Sequence, residues 1–265
     1  MFLELRTGVR LFYTDDGSGD TTLLLVHGWG ADSHQWVHHL PALAREHRVI
    51  AVDLRGHGYS TCLATGNTVG RMTLDLVELL QHLGVARCVP VGHSMGAVIV
   101  SRLAVEHPSL VAALVAVDPG YGFPERVGAL SLRLLDGLRG PDPRAAAVGI
   151  DQWCYTPASP AWLREWHRRR LLATPPHVLA EAFESLWAGP EAIGTRPAAE
   201  PYLSRRECPV LSFWSDPAQA TWESGLFKHP ASRTVCWPGS GHRLHEERPA
   251  EFTLVVSQWL ASIHG

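Results

Sequence analysis

The sequence predicts an α/β fold: a mostly parallel sheet, helices on both of its faces, and a helical cap inserted late in the chain. Three observations carry this. Short apolar runs alternate with stretches of helical period as far as Asp118. The alternation then halts, and from Pro119 to about Glu207 there are only Pro- and Gly-broken helical pieces. Two further strand-like runs and a helix close the chain.

Residues 22–27, TLLLVH, end at Gly28, and residues 48–53, RVIAVD, end in the turn-rich LRGHGYS. Continuous apolar runs of this length suit strands buried on both faces. HQWVHHLPALAREH, between them, has helical spacing. TLDLVELLQHLG repeats Leu76, Leu79, Leu80 and Leu83 on one face before Gly84, a good helix stop. RCVPVG at 87–92, a helix from Ser94 to about His107, and AALVAVD at 112–118 continue the pattern. The block after Asp118 holds LSLRLLDGL, AWLREWHRRRLL and HVLAEAFESLW. Strands return at 209–214 (PVLSFW) and 232–237 (SRTVCW), followed by a helix read from Glu247 to Leu260. The core is therefore assigned to 1–118 and 209–265, and the cap to 119–208.

Bulk properties narrow the function. The 265 residues are 46% hydrophobic and 18% charged with a net charge of −3, which gives neither the basic footprint of a nucleic-acid binder nor the composition of a disordered chain. Glu4 and Arg6 interrupt the first residues, and no window reaches the length of a membrane span. A cytoplasmic monomer or homodimer with a small-molecule substrate is expected, without nucleic-acid or membrane partners. Cys62, Cys88, Cys154, Cys208 and Cys236 are scattered without a CxxC pair, so they are read as buried thiols rather than disulfides or a zinc site.

The chemistry centres on VGHSMGA. Gly92-His93-Ser94-Met95-Gly96 places a serine on a tight turn between a strand and a helix, where small residues let the two approach. The helix N-terminus there favours developing negative charge. A hydroxyl needs a base, and PGSGHRLHEERPAEF supplies His242 after the last strand; His245 is the competitor. HGWG, from His27 to Gly30, can offer the Trp29 amide, and the Met95 amide is a second donor for an oxyanion.

LLLVHGWG, VIAVDLRGHGYS, VGHSMGA and GSGHRLHEERPAEF together resemble the α/β-hydrolase superfamily, specifically its serine-nucleophile, cap-bearing enzymes. The resemblance covers nearly the whole chain. It implies an eight-stranded sheet, a cap over the site and a Ser-His-acid triad without metal or organic cofactor. Ser94 at the elbow, where aspartate would stand, departs from the epoxide hydrolases and haloalkane dehalogenases. In most relatives the acid follows the strand at 209–214, but here the run ends WSDP, with Ser215 in place of a glycine and Asp216 early. Zearalenone-type lactonases and cofactor-free quinolone dioxygenases resemble this chain in taking the acid from the preceding strand, which favours Asp118; Asp216 is the alternative.

The remaining candidates have plainer readings. Asp53 is read as holding the turn after its strand, and His34, His38 and His39 as a solvated helix face rather than a metal site. Arg164, Arg168, Arg169 and Arg170 are read as an exposed helix face. Trp153, Trp162, Trp166 and Trp187 are candidates for an aromatic pocket under the cap. The function expected is hydrolysis of an ester, lactone or thioester of a medium-sized apolar or aromatic substrate through an acyl-enzyme. A cofactor-free dioxygenase of a hydroxy-quinolone-like substrate and a non-catalytic receptor on the same fold are the alternatives.

Overall fold

The computed structural model describes residues 1–264. In chain order its elements are β1 (Phe2–Glu4), β2 (Arg10–Asp16), β3 (Thr22–Val26), α1 (Leu40–Leu43), β4 (Arg48–Asp53), α2 (Val69–His82), β5 (Val89–His93), α3 (Met95–Glu106) and β6 (Leu114–Val117). Then come α4 (Glu125–Leu138), α5 (Pro143–Asp151), α6 (Ala161–Ala173), α7 (Pro176–Trp187), α8 (Arg196–Leu203), β7 (Val210–Trp214), α9 (Pro217–Ser224), β8 (Arg233–Cys236), α10 (Leu244–Glu247) and α11 (Pro249–His264). The strands form one eight-stranded sheet in the order β1-β2-β4-β3-β5-β6-β7-β8. Pairing is antiparallel from β1 through β2 to β4 and parallel from β4 to β8.

The two-residue period of a strand divides the apolar runs between two cores. Leu24, Val26, Ile50 and Val52 face one side, where they join Met72, Leu76 and Leu79 of α2 and Val98, Ile99 and Leu103 of α3. Leu23, Leu25, Val49 and Ala51 face the other, with Leu43 of α1 and Phe252, Val256 and Trp259 of α11. Helices on both faces explain why β3 is apolar at consecutive positions. Between β6 and β7 the helical block α4–α8 has an apolar cluster of its own, including Leu135, Leu138, Leu171, Leu179 and Phe183, against which Trp29 packs. No helix of the described residues is long and apolar enough to cross a membrane.

Several expectations need correction. The stretch 34–47 is not one helix: a 3-10 turn at Ser33–Trp36 is followed by the single turn α1, where Pro41 sits at the start. His39 is fully buried, stacked on His245, because Trp36 and His39 turn inward onto the α11 side of the sheet. The last helix begins at Pro249, after the separate turn α10, since proline has no N–H to continue an earlier helix but fits a first turn. Of the cysteines only Cys88 is buried, and Cys62 is exposed.

Adjacent parallel strands β3, β5, β6, β7 and β8 all end at the same edge of the sheet. The loops bearing Trp29, Ser94, Asp118, Ser215 and His242 leave those ends, so the topology gathers them whatever their distance in sequence.

Candidate active site

Ser94 joins β5 to α3 with φ 54° and ψ −113°, a left-handed conformation that a serine holds only under constraint, typically at about 1–3 kcal/mol of strain. The constraint is visible on both sides. Its N–H donates to the Val117 carbonyl at 2.9 Å, and its own carbonyl accepts from Gly120 at 3.2 Å. A Cβ on Gly92 would collide with the Gly96 carbonyl, and one on Gly96 with the carbonyls of Val26 and His27. Both positions therefore need glycine for the strand and helix to meet.

Asp118 also has positive φ, 39°, at the end of β6. Its Oδ1 accepts from the Ser215 amide at 2.8 Å and the Ser215 hydroxyl at 3.1 Å, and its Oδ2 accepts from His242 Nδ1 at 2.7 Å. With Nδ1 donating, a neutral His242 presents its lone pair at Nε2. Asp216 is engaged elsewhere: it is exposed and caps α9, its Oδ1 accepting from the Ala218 amide at 2.8 Å.

Ser94 and His242 line one cavity of about 40 Å³, together with Trp29, Ile150, Asp151 and Arg243. Among the described residues the backbone amides of Trp29 and Met95 have no acceptor within the chain. The neighbouring Gly28 amide is spent on Gln35 Oε1 at 3.0 Å. A hydroxyl, a carboxylate-held imidazole and free amides around one cavity form a set able to transfer an acyl group.

A polar layer supports these loops. Gln35 is fully buried; its Nε2 donates to His93 Nδ1 at 3.1 Å and to Glu246 Oε1 at 3.0 Å. His93 Nε2–H in turn donates to the His242 carbonyl at 2.9 Å, and the His242 amide donates to the Cys154 carbonyl at 2.8 Å. Burial, reinforced by nearby His242 and Arg243, drives the His93 pKa far down, so the ring is neutral and accepts at Nδ1. His167 of α6 donates from Nε2 to Glu246 Oε1 at 2.8 Å. Burial and the charges of Arg243 and Arg170 push His167 well below its ordinary value, and burial raises Glu246, so this contact is a hydrogen bond between a neutral ring and a carboxyl group rather than an ion pair.

The four tryptophans of the helical block are not brought to Ser94. Trp153 and Trp162 are 63% and 47% exposed. Trp166 stands edge-on to His34 and beneath Arg170, while Trp187 packs on Phe123 and Phe183. The buried face of α6 is Leu163, His167 and Leu171, spaced by four, so Trp162 and Trp166 fall one residue off it. Trp166, Arg169 and Arg170 instead border a separate cavity of about 840 Å³ with Asp32, Asp53 and Tyr59. That larger space is lined by neither Ser94 nor His242. Asp53 holds its turn, accepting from the amides of Ser33 and Tyr59 at 2.8 Å each. Arg164, Arg168 and Arg169 are exposed, but Arg170 is largely buried and bonds Asp32 at 3.1 Å.

Gln35, His93, Glu246 and Arg243 escaped the sequence reading. The one signal for them was proximity: His93 and Arg243 adjoin Ser94 and His242 in the chain.

Known proteins agree with this architecture. The epoxide hydrolase A of Mycobacterium tuberculosis is 28% identical, the match spanning 97% of this chain and 95% of that protein. A dihydrolipoyllysine-residue acetyltransferase component of the acetoin cleaving system of Cupriavidus necator is 36% identical over 43% of this chain, which spans only 31% of that relative's length. Among solved structures, a thermophilic esterase from Thermogutta terrifontis superposes with a TM-score of 0.84 at 25% identity, covering 100% of this chain and 99% of that one. A model of the alpha/beta hydrolase fold matches residues 21–154, the segment that carries β3, the Ser94 turn and β6, and with half of its length so matched this chain belongs to the α/β-hydrolase family.

Proposed function

We propose that this chain is a serine hydrolase that cleaves a carboxylic ester, lactone or thioester through an acyl-enzyme. The single observation that carries the reading is the 2.7 Å contact of His242 Nδ1 with Asp118 Oδ2 beside a cavity that Ser94 also lines. Ser94 attacks the carbonyl while His242 Nε2 takes its proton. The Trp29 and Met95 amides receive the oxyanion. His242 then returns the proton to the leaving group, and a water repeats the sequence to release the acid. Asp118 holds the imidazole tautomer and balances the imidazolium; Asp216, tied to α9, does not take part. The similarity to an epoxide hydrolase does not transfer that activity, because the elbow carries Ser94.

The block 119–208 serves as the cap. Ile150, Asp151 and Cys154 from it close the Ser94 cavity to about 40 Å³, room for roughly one water, so a substrate enters only when this segment moves aside. The strained Ser94 turn and two free amides favour hydrolysis over cofactor-free oxygenation or binding without turnover, since neither of those needs an oxyanion site. Hydrolysis of 4-nitrophenyl esters of graded acyl length by wild type and Ser94→Ala, with oxygen uptake followed in parallel, tests the reading. Turnover by wild type that is lost in Ser94→Ala supports it. Equal turnover by both, or oxygen consumption with a hydroxy-quinolone, contradicts it.

A further inference from the structure

Resting on the reading of Ser94 as nucleophile, we propose that the acyl part of the substrate carries a second carboxyl-type group, a carboxylate or its ester, whose oxygens are received by Arg243. Arg243 follows His242 and lines the same cavity as Ser94. Its side chain is 7% exposed, and Nη2 donates to Asp151 Oδ1 at 2.6 Å. Nε and Nη1 are buried without a matched acceptor among the described residues, and the guanidinium's other neighbour, the Cys154 thiol, is only a weak partner. A guanidinium carries five N–H groups, and buried charged donors left unmatched are strongly unfavourable unless a ligand or water fills them.

With the 119–208 segment closed, the guanidinium is oriented from two sides. Asp151 bonds one edge, and the Tyr155 ring lies with its centroid 4.9 Å from Cζ of Arg243. Asp151 is itself satisfied, because its Oδ2 accepts from the Tyr155 hydroxyl at 3.1 Å. The other strongly polar walls, Gln35 and His93, are matched to Gly28, Glu246, the His242 carbonyl and each other. Beyond the reacting groups, Arg243 is thus the wall with donors to spare. Ser94 and Arg243 line the same cavity, so a group bound by those donors stands near the reacting carbonyl, and in the proposed substrate it is part of the acyl portion.

The test compares three esters of equal chain length: methyl hexanoate, dimethyl adipate and monomethyl adipate. For wild type, one or both adipates should exceed methyl hexanoate about tenfold or more in kcat/KM, and the ratio should fall toward one in Arg243→Gln. The favoured adipate tells whether the group is bound charged or as its ester. Equal kcat/KM for all three, or a preference that survives Arg243→Gln, overturns the proposal. Binding to Ser94→Ala by calorimetry reads the same preference without turnover: tighter adipate binding that is lost in Ser94→Ala/Arg243→Gln supports it, and equal binding overturns it. If Arg243→Gln fails to fold with Asp151 stranded, Arg243→Gln/Asp151→Asn removes both charges. Failure of the nucleophile reading shows separately, as ester turnover by Ser94→Ala equal to wild type.

Discussion

His242 Nδ1 and Asp118 Oδ2 stand 2.7 Å apart although 124 residues separate them, and Asp118 is gripped from its other side by the amide and hydroxyl of Ser215. The shortened WSDP turn therefore has a use. Ser215, in the place where a glycine was expected, donates to the carboxylate supplied by the neighbouring strand.

Asp118→Asn should lower kcat about 10⁴-fold, since the amide cannot hold the same His tautomer. Asp216→Ala should reduce stability by about 1 kcal/mol through loss of a helix cap and leave kcat within a few-fold. Steady-state kinetics with denaturation curves read both, and the opposite ranking contradicts the assignment of the acid.

Ser215→Ala removes the hydroxyl that reaches both carboxylate oxygens of Asp118, at 3.1 and 3.2 Å, but keeps the amide. A drop in kcat of about tenfold is expected, intermediate between wild type and Asp118→Asn. An unchanged kcat means that the amide alone positions Asp118.

Gln35→Leu strands the Gly28 amide, which loses its acceptor, and His93 Nδ1 and Glu246, which lose a donor. Each buried group left unmatched typically costs about 1–3 kcal/mol, so a large loss of urea stability is expected. In the folded fraction kcat should fall more than KM rises, because Gly28 precedes the Trp29 amide. A stability loss with kcat intact contradicts the role of Gln35 in holding that loop.

Burial holds the pKa of His39 and His57 down to about 4, against 6.5 when exposed. His27, His93, His167 and His245 shift the same way. Between pH 6.5 and 4 the unfolded chain binds more protons than the folded one. The stability is therefore fully present above about 6.5 and is lost as pH falls through that window, by about 2 kcal/mol at pH 5 for each of His39 and His57. Urea midpoints at pH 7.5 and 5.0 check the slope. His245→Leu should flatten it, since both ring nitrogens of His245 are buried without a hydrogen bond.

The central strands and the Ser94 turn were legible because apolar runs of strand length ended by glycine admit few other structures. β1 and β2 were missed because β1 is only three residues long, and in β2 the apolar Phe12 between the buried Leu11 and Tyr13 hides the alternation in the sequence. Asp118 and Asp216 remained alternatives in the sequence because each precedes a proline at a strand end. What separates them is the side-chain direction set by neighbouring strands, which spacing does not encode. The tryptophans misled for a related reason: an aromatic residue in a helix says that something is covered, and only its position relative to Leu163, His167 and Leu171 says what. Gln35 and Arg243 belong to residue types that are usually solvated, and they became visible only through their partners.

In the proposed mechanism Ser94 forms a covalent acyl-enzyme. Incubation with an activated phosphonate ester, followed by intact mass and peptide mapping, tests it most directly. One adduct per chain is expected, on Ser94, absent in Ser94→Ala and formed far more slowly in His242→Ala. An adduct elsewhere, or none on a folded protein that still hydrolyses esters, would contradict it.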